Sequence, residues 1–385
     1  MAKQGDFVGI IVAIPKETAV GEHRVALVPE VAAALIKKGI AVLVEAGAGA
    51  SSYYPDSLYS AVGAEVLPSR QALLQKASVV LKVQNPTDEE IGWMRPGTVI
   101  VSFMNPSRNS EIIRRMRDAK ITAFAMELIP RITRAQSMDA LSSQATAAGY
   151  KAALLAAEHS PKFFPMLTTA AGTIRPAKVL VLGAGVAGLM AIATSRRLGA
   201  VVEAYDVRRA AGEHVRALGA KFLELALDAE ASGGYARELT AEEKTKERTM
   251  VAEAVARADA VITTANIPGR KAPRLIDREM ASRMQPGSVI VDLAAESGGN
   301  CELTQPGKTA VVNGVIVLGP ENIPSRIPFH SSRLYAKNQQ AFLELLVGKD
   351  GALNENFSDE ILAAALLVHQ GRVAHEPTRE LVEAA

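Results

Sequence analysis

Short apolar runs and helical periodicities alternate along the first 127 residues. Val8–Ile14, Ala41–Glu45, Val79–Val83, Thr98–Met104 and Ile121–Met126 are rich in valine and isoleucine. Continuous apolar runs of this length predict strands buried on both faces of a parallel sheet. Between them, Pro29–Lys38 has a helical pattern with proline near its start and Gly39 as its stop, and Arg108–Ala119 is a second such segment. Leu128 to Ser143 breaks the alternation. A long alanine-rich helix is then predicted from Gln144 to His159, ended by Ser160-Pro161. A second α/β unit follows over about Lys178 to Gly319, with later strands at Ala258–Thr264 and Ser288–Leu293. Another long helix is predicted over Ser331–Leu346, a further helical run over Ser358–His369, and a mostly polar stretch to Ala385. Two long helices flanking the second unit imply that the chain crosses between domains twice. The expected organisation is a discontinuous N-terminal α/β domain (1–143 and 331–385) and a second α/β domain (144–330), both doubly wound with parallel sheets and joined by the two long helices.

The most informative local pattern lies in the second unit. The apolar strand Lys178–Leu182 runs into Gly183-Ala184-Gly185-Val186-Ala187-Gly188, a GxGxxG turn, and then into a helix over Leu189–Leu198 ended by Gly199. A second strand, Val201–Asp206, ends on a carboxylate 23 positions after Gly183. In a Rossmann unit the first glycine makes the tight turn, the second lets backbone approach a pyrophosphate, and the third packs the helix against the strand. The helix N-terminus then holds the phosphate charge. An acid at the spacing of Asp206 accepts hydrogen bonds from the ribose hydroxyls and repels a 2′-phosphate, which predicts NAD(H) rather than NADP(H) as the bound nucleotide. Arg208 and Arg209, next in the chain, work against that discrimination.

Composition narrows the classes. With 385 residues, two domains are the default. Formal net charge is +2 and aromatic residues make up 4% of the chain, so neither a basic stripe nor a base-stacking surface argues for nucleic acid. The single cysteine, Cys301, has no CxxC or Cys/His cluster around it, which predicts an inert buried thiol and no metal site. Phe7–Pro15 lacks the features of a signal peptide. The longest uncharged stretch, Val179–Ser195, is 17 residues, short of the roughly 20 that span a bilayer. The expectation is a chain with no transmembrane segment, able to dock on a membrane-bound partner.

Polar residues cluster at two further places. Arg131, Gln136, Asp139 and Ser142 lie in the interdomain run Arg131–Ser142. Asp139 or Ser137 could cap the following helix, but capping does not account for all four. Together they offer donors and acceptors suited to a nicotinamide carboxamide and ribose at a domain cleft. Asp228–Arg248 is charged, lacks apolar periodicity, and contains Gly233-Gly234-Tyr235. It reads either as a solvated insertion or as a lid hinged at the glycines with Tyr235 closing on a ligand. Amino-acid or hydroxy-acid oxidation needs an acid/base group, yet none of the six histidines falls at the tip of an N-terminal-domain strand, where Lys82, Gln84 and Asn105 stand instead. Lys82 reads as a substrate-binding cation or as a snorkelling surface lysine. Glu296, after the strand Ser288–Leu293, is positioned as a cofactor-proximal acid, and the neighbouring Gly298-Gly299-Asn300 reads as a turn.

Pro15-Lys16-Glu17, Gly21–Pro29, Ala123–Glu127 and Thr169–Thr173 resemble the alanine dehydrogenase and transhydrogenase superfamily, over nearly the whole chain and least after about Leu346. The run Arg131…Gln136…Asp139…Ser142 resembles one branch, the NAD(H)-binding domain I of proton-translocating NAD(P) transhydrogenases in its split alpha-subunit form. In alanine dehydrogenases Arg24 and Lys82 would hold the substrate, but their histidine falls on Asn105 and their catalytic aspartate on Glu296, which puts amino-acid oxidation in doubt.

The resemblance implies direct hydride transfer from NADH to NADP⁺ held by a separate domain III, with catalysis by alignment. By the same resemblance, Arg131, Asp139 and Ser142 position the nicotinamide, and Gln136 reaches toward the partner's NADP(H). Gly183, Gly185, Val186, Ala187 and Gly188 hold the pyrophosphate, and Asp206, Val207 and Arg208 surround the adenosine ribose. Gly234 and Tyr235 belong to a closing loop, and Ala265 and Asn266 line the cofactor cleft. It further implies a homodimer, a membrane domain II that couples transfer to proton translocation, and a cytoplasmic location, peripheral on a bacterial inner membrane. An alanine dehydrogenase-type enzyme and a non-catalytic NAD-sensing module are the alternatives.

Overall fold

The first six strands of the first sheet are three to five residues long and mostly apolar. In the computed structural model, which describes residues 9–224, 241–266, 271–348, 352–354 and 357–384, they are β1 (Ile11–Ile14), β2 (Ala41–Glu45), β3 (Glu65–Leu67), β4 (Val79–Leu81), β5 (Val99–Ser102) and β6 (Thr122–Ala125). Alternate residues of each strand enter two different cores. Val12, Ile14, Leu81, Val101 and Phe124 face one, with Tyr335, Phe342 and Leu343 of the helix Pro328–Leu346. Ala13, Val80, Ile100 and Ala123 face the other, with Leu73 and Ile113 from crossover helices. Burial on both faces is why these strands read as unbroken apolar runs rather than alternating ones. The short strand β3 and the helices Asp56–Ala61, Arg70–Lys76 and Asp88–Trp93 were not anticipated from the sequence.

The second group opens with an antiparallel hairpin, β7 (Leu167–Thr169) and β8 (Gly172–Ile174), that stands apart from the main sheet. The sheet itself comprises β9 (Lys178–Leu182), β10 (Val201–Tyr205), β11 (Lys221–Phe222), β12 (Ala260–Thr263), β13 (Val289–Asp292), β14 (Thr309–Val312) and β15 (Val315–Leu318), in the order β11-β10-β9-β12-β13-β15-β14. All neighbours are parallel except the β14–β15 hairpin. Chain order reverses between β9 and β12, the topological switch point at which open α/β sheets bind ligands. Val179, Val181 and Ile262 pack on one face with Ala152, Ala153 and Ala156 of the helix Ala140–His159 and with Ile192 of the helix Val186–Arg197. Leu180, Leu182, Val261 and Ile290 pack on the other with Val251 and Val255 of the helix Ala241–Arg257.

The chain then returns to the first group with β16 (Leu366–His369) and β17 (Arg372–Val373). The first sheet has the order β17-β16-β6-β5-β4-β1-β2-β3, parallel except that β16 runs antiparallel to both β6 and β17. The contacts divide the chain into two units, residues 1–144 with 325–385, and residues 145–324. The helix Ala140–His159 contains one division, whereas Pro328–Leu346 lies wholly inside the first unit.

Three expectations are corrected. Ser358–His369 is not one helix: Glu360–Ala365 is helical, and Leu366–His369 is strand β16. Its apolar run fits either state, and pairing with β6 decides for the strand. The polar tail carries an unexpected helix, Glu376–Ala384, whose Val382 is buried. Finally, Asp228–Arg248 is not irregular to its end, because Ala241 onward is helical. Among the described residues, no helix is long and apolar enough to cross a membrane.

Candidate functional site

Strand β9 ends where the chain must turn sharply into the helix Val186–Arg197. Gly183 takes φ +101°, and its N–H bonds the carbonyl of Tyr205 on β10 at 2.8 Å. Gly185 caps the helix in an extended conformation. A Cβ added there would meet nothing within 4 Å, so the backbone is open to close approach. At Gly188 the reverse holds: a Cβ would drive into the carbonyl of Gly183, so only glycine lets this helix start against the strand. Gly149 makes a comparable approach to the carbonyl of Ala187, which brings the helix Ala140–His159 against the same turn. The first N–H groups of a helix have no intrahelical acceptors, so Val186, Ala187 and Gly188 offer backbone donors and a positive dipole end to an anion.

Asp206 follows β10 and is 9% exposed. Its Oδ2 accepts the N–H of Ala184 inside the turn at 2.7 Å, and its Oδ1 accepts the N–H of Arg208 at 2.8 Å. The Arg208 guanidinium forks onto both oxygens, Nε to Oδ1 and Nη2 to Oδ2, each at 2.9 Å. Burial alone would raise this carboxyl, but the bonds from Arg208 and Ala184 and the Arg208 charge outweigh it and hold Asp206 below the usual carboxylate range. Val207 is exposed.

The end of β12 closes the other side of the turn. Thr264 Oγ1 donates to the carbonyl of Gly183 at 3.0 Å. Ala265, next in the chain, is held through both backbone groups by Asn300: its N–H reaches Asn300 Oδ1 at 3.1 Å, and Asn300 Nδ2 donates to its carbonyl at 2.8 Å and to that of Pro273 at 2.8 Å. Asn266 is exposed. Asp292 at the end of β13 is fully buried. It collects Thr263 Oγ1 (2.9 Å), Ala294 N–H (3.0 Å), Cys301 N–H (3.0 Å) and Thr304 Oγ1 (2.6 Å). Sequence reasoning passed over Asn300 as part of a turn, yet it is the buried clamp on Ala265. Glu296 is exposed and accepts the N–H of Asn322 at 2.5 Å. Cys301 is buried, and burial pushes its thiol up to about 11, as suits an inert cysteine. Gly234 and Tyr235 lie outside the described residues.

In the first unit, Thr133–Met138 forms a 3₁₀ segment leading into the helix Ala140–His159. Asp139 Oδ1 accepts the N–H of Ser142 at 2.9 Å and Oδ2 accepts its hydroxyl at 2.5 Å, so these two candidates meet as a helix cap. Arg131 and Gln136 are exposed. The segment is anchored by Asn338, which donates to the carbonyl of Ser137 at 2.8 Å and accepts from Ser143 Oγ at 2.6 Å.

A buried charged network occupies the same unit. Arg24 is 4% exposed and is gripped by Glu22 through Nε (2.8 Å) and Nη2 (2.6 Å), with Nη1 on Gln144 Oε1 at 2.8 Å. Gln84 donates to the same Glu22 at 2.8 Å. Burial works to raise Glu22, but Arg24 and Gln84 overcome it and bring the carboxyl down to about 2. Lys82 is not a snorkelling surface lysine: it is buried between Glu17 (3.2 Å) and Glu90 (3.3 Å). Asn105 ends the β5 turn at φ +44°, with its N–H on Glu127 Oε1 at 2.5 Å. Burial holds Glu127 above the usual carboxylate range.

Both halves of the chain match models of one family. Residues 13–148 match the alanine dehydrogenase/PNT N-terminal domain, and residues 152–376 match the alanine dehydrogenase/PNT C-terminal domain. The chain belongs to the alanine dehydrogenase/PNT family. Within this family, it is 45% identical over 374 residues to a Rhodospirillum rubrum protein named as the first part of NAD(P) transhydrogenase subunit alpha, covering 94% of this chain and 97% of that one. Its identity to the alanine dehydrogenase of Bacillus subtilis is lower, 30% over 375 residues, covering 95% and 93%. The crystal structure of transhydrogenase from Sinorhizobium meliloti superposes with a TM-score of 0.84 at 47% identity, covering 95% of this chain and 99% of that one. The family assignment and the parallel-dominated α/β architecture read from the sequence both stand.

Proposed function

We propose that this chain is the NAD(H)-binding component of a proton-translocating NAD(P) transhydrogenase. The observation that carries the reading is the end-to-end likeness to a protein named as the first part of a transhydrogenase alpha subunit, at 45% identity against 30% for an alanine dehydrogenase. The geometry of the second unit supports it. The residues present fit NAD(H): an open glycine turn at a helix N-terminus for the pyrophosphate, and a buried, ionised Asp206 for the ribose.

NADH brings the hydride, and NADP⁺ on a separate domain III accepts it. Transfer from one nicotinamide to the other yields NAD⁺ and NADPH with no proton gained or lost by either ring, so this chain needs no acid/base residue. Asn105, where the alanine dehydrogenase likeness would place histidine, has no group that titrates near neutrality. The protein's task is then orientation. Arg131, Asp139 and Ser142 position the nicotinamide, and Gln136 reaches toward the partner's nucleotide. Ala265 and Asn266 line the cofactor site, and Gly234 and Tyr235 close over it. The complex has a membrane domain that couples transfer to proton translocation, and it places this chain at the cytoplasmic face of a bacterial inner membrane. A second copy completes a homodimer. The hairpin β7–β8, with Met166 and Ile174 exposed, offers it an apolar contact.

Hydride transfer from NADH to an NADP⁺ analogue, measured with and without a domain III protein, tests the reading. Partner-dependent transfer with no reduction of pyruvate in the presence of ammonia is the expected result. Pyruvate reduction by the chain alone would make it an amino-acid dehydrogenase. NADH binding without either reaction would leave a sensing module.

A further inference from the structure

Asp206 is more crowded than a ribose-binding acid needs to be. A carboxylate presents about four lone-pair sites, and four donors meet this one. Two are backbone N–H groups: that of Ala184 ties the glycine turn to the end of β10, and that of Arg208 closes a local turn after it. The other two come from the single guanidinium of Arg208, one on each oxygen at 2.9 Å. The adenosine ribose has two vicinal hydroxyls and must use the sites that the guanidinium fills. The Arg208 side chain is 64% exposed, whereas the Asp206 side chain is 7% exposed, so the arginine has room to leave and the acid does not.

We propose that Arg208 is an internal competitor of the nucleotide: it occupies the two positions on Asp206 that the ribose hydroxyls take, and binding displaces it. This inference rests on the NAD(H) reading above. Two consequences follow. The affinity for NAD(H) is set below what the turn and the acid would provide alone. Once displaced, the guanidinium stands beside the ribose 2′ position, where it offsets the repulsion that Asp206 exerts on a 2′-phosphate. The guanidinium itself stays mostly in water, which keeps its hold weak, so the competition amounts to about a two- to fivefold change in affinity.

The alternative is that Arg208 assists binding, by charge or by bracing Asp206, and the two differ in sign. Arg208→Lys keeps the positive charge but loses the planar fork that grips both oxygens. NADH and NADPH binding to the full chain would be measured by fluorescence titration for wild type, Arg208→Lys and Arg208→Ala, with thermal unfolding to establish folding. AMP and 2′-deoxy-AMP would serve as displacing probes. Arg208→Lys is expected to bind NADH about two- to fivefold more tightly, and Arg208→Ala, which also removes the charge, to discriminate more strongly against NADPH. The gain should be smaller for 2′-deoxy-AMP than for AMP. Folded variants that bind NADH equally or more weakly would overturn the competitor role while leaving the NAD(H) reading intact. A wild-type chain that binds no NADH would overturn that reading, and the inference with it.

Discussion

The carboxylate of Asp206 accepts the N–H of Ala184 at 2.7 Å, so the acid that would receive the ribose also holds the glycine turn that would receive the pyrophosphate. One side chain thus links two parts of the proposed nucleotide site, and its replacement should be felt in both.

Asp206→Ala is therefore expected to weaken NADH binding by about tenfold or more, since hydrogen bonds to a charged group contribute about 1.5–3 kcal/mol. It should also reduce rejection of NADPH, because the repelling charge is gone. Parallel titrations with NADH and NADPH check this. An unchanged ratio of the two affinities would remove Asp206 as the discriminator.

Gly188→Ala places a methyl against the carbonyl of Gly183, and backbone cannot swing aside as a long side chain can. The expected outcome is a loss of about 1–3 kcal/mol in stability, as for other overpacked sites, together with weakened NADH binding as the turn is pushed open. Chemical denaturation and NADH titration of the same protein read the two effects.

Asn300→Ala would strip partners from the N–H and carbonyl of Ala265 and from the carbonyl of Pro273 at a fully buried position. Ala265 and Pro273 are half-buried, so each stripped group costs toward the low end of the about 1–3 kcal/mol of a buried one. A drop in unfolding midpoint larger than that of Asn266→Ala, at an exposed position, is the expected comparison.

Gln136→Ala should leave NADH affinity nearly intact while slowing transfer to partner-bound NADP⁺. Gln136 is exposed and lies outside the Asp139–Ser142 cap. Equal losses in binding and transfer would end the assignment of Gln136 to the partner's nucleotide.

Glu22 carries a pH signature. Its carboxyl sits at about 2 in the folded chain against 4.5 for the free group. The stabilisation this represents, about 3 kcal/mol, is present in full above pH 4.5 and is lost as pH falls from there through about 2. Glu22→Gln would leave Arg24 buried without its counter-charge, at a cost of about 3–5 kcal/mol at neutral pH. It should also flatten the dependence of stability on pH across that window. An acid limb of unchanged steepness would show that other groups set it.

The legible parts of this molecule were those in which a few consecutive residues carry the whole argument. β9, the turn and the helix Val186–Arg197 could be read because tight backbone geometry demands glycine at particular steps. Asp139 is legible as a candidate cap for the same reason, whereas its partner Ser142 appears only in the structure. In the run ending at His369, Leu366-Leu367-Val368 is apolar enough for a helix or a strand. Only β6, far away in sequence, supplies the edge that makes it a strand.

By itself, the sequence determined the class of the fold and the place of the glycine turn. Periodicity, glycine spacing and the position of an acid after a strand are local properties, and local sterics suffice to interpret them. Tertiary structure alone decided which polar groups meet. Lys82 could have been an exposed cation, but burial between Glu17 and Glu90 makes it an ion-paired core residue. Asn300 could have been a turn residue, but the approach of Ala265 and Pro273 makes it a clamp. Arg208 keeps most of its side chain in solvent, but its fork closes on both oxygens of Asp206. For Lys82 and Asn300 the deciding energy is that of desolvating a charge or an amide, which depends on what the rest of the chain brings around it.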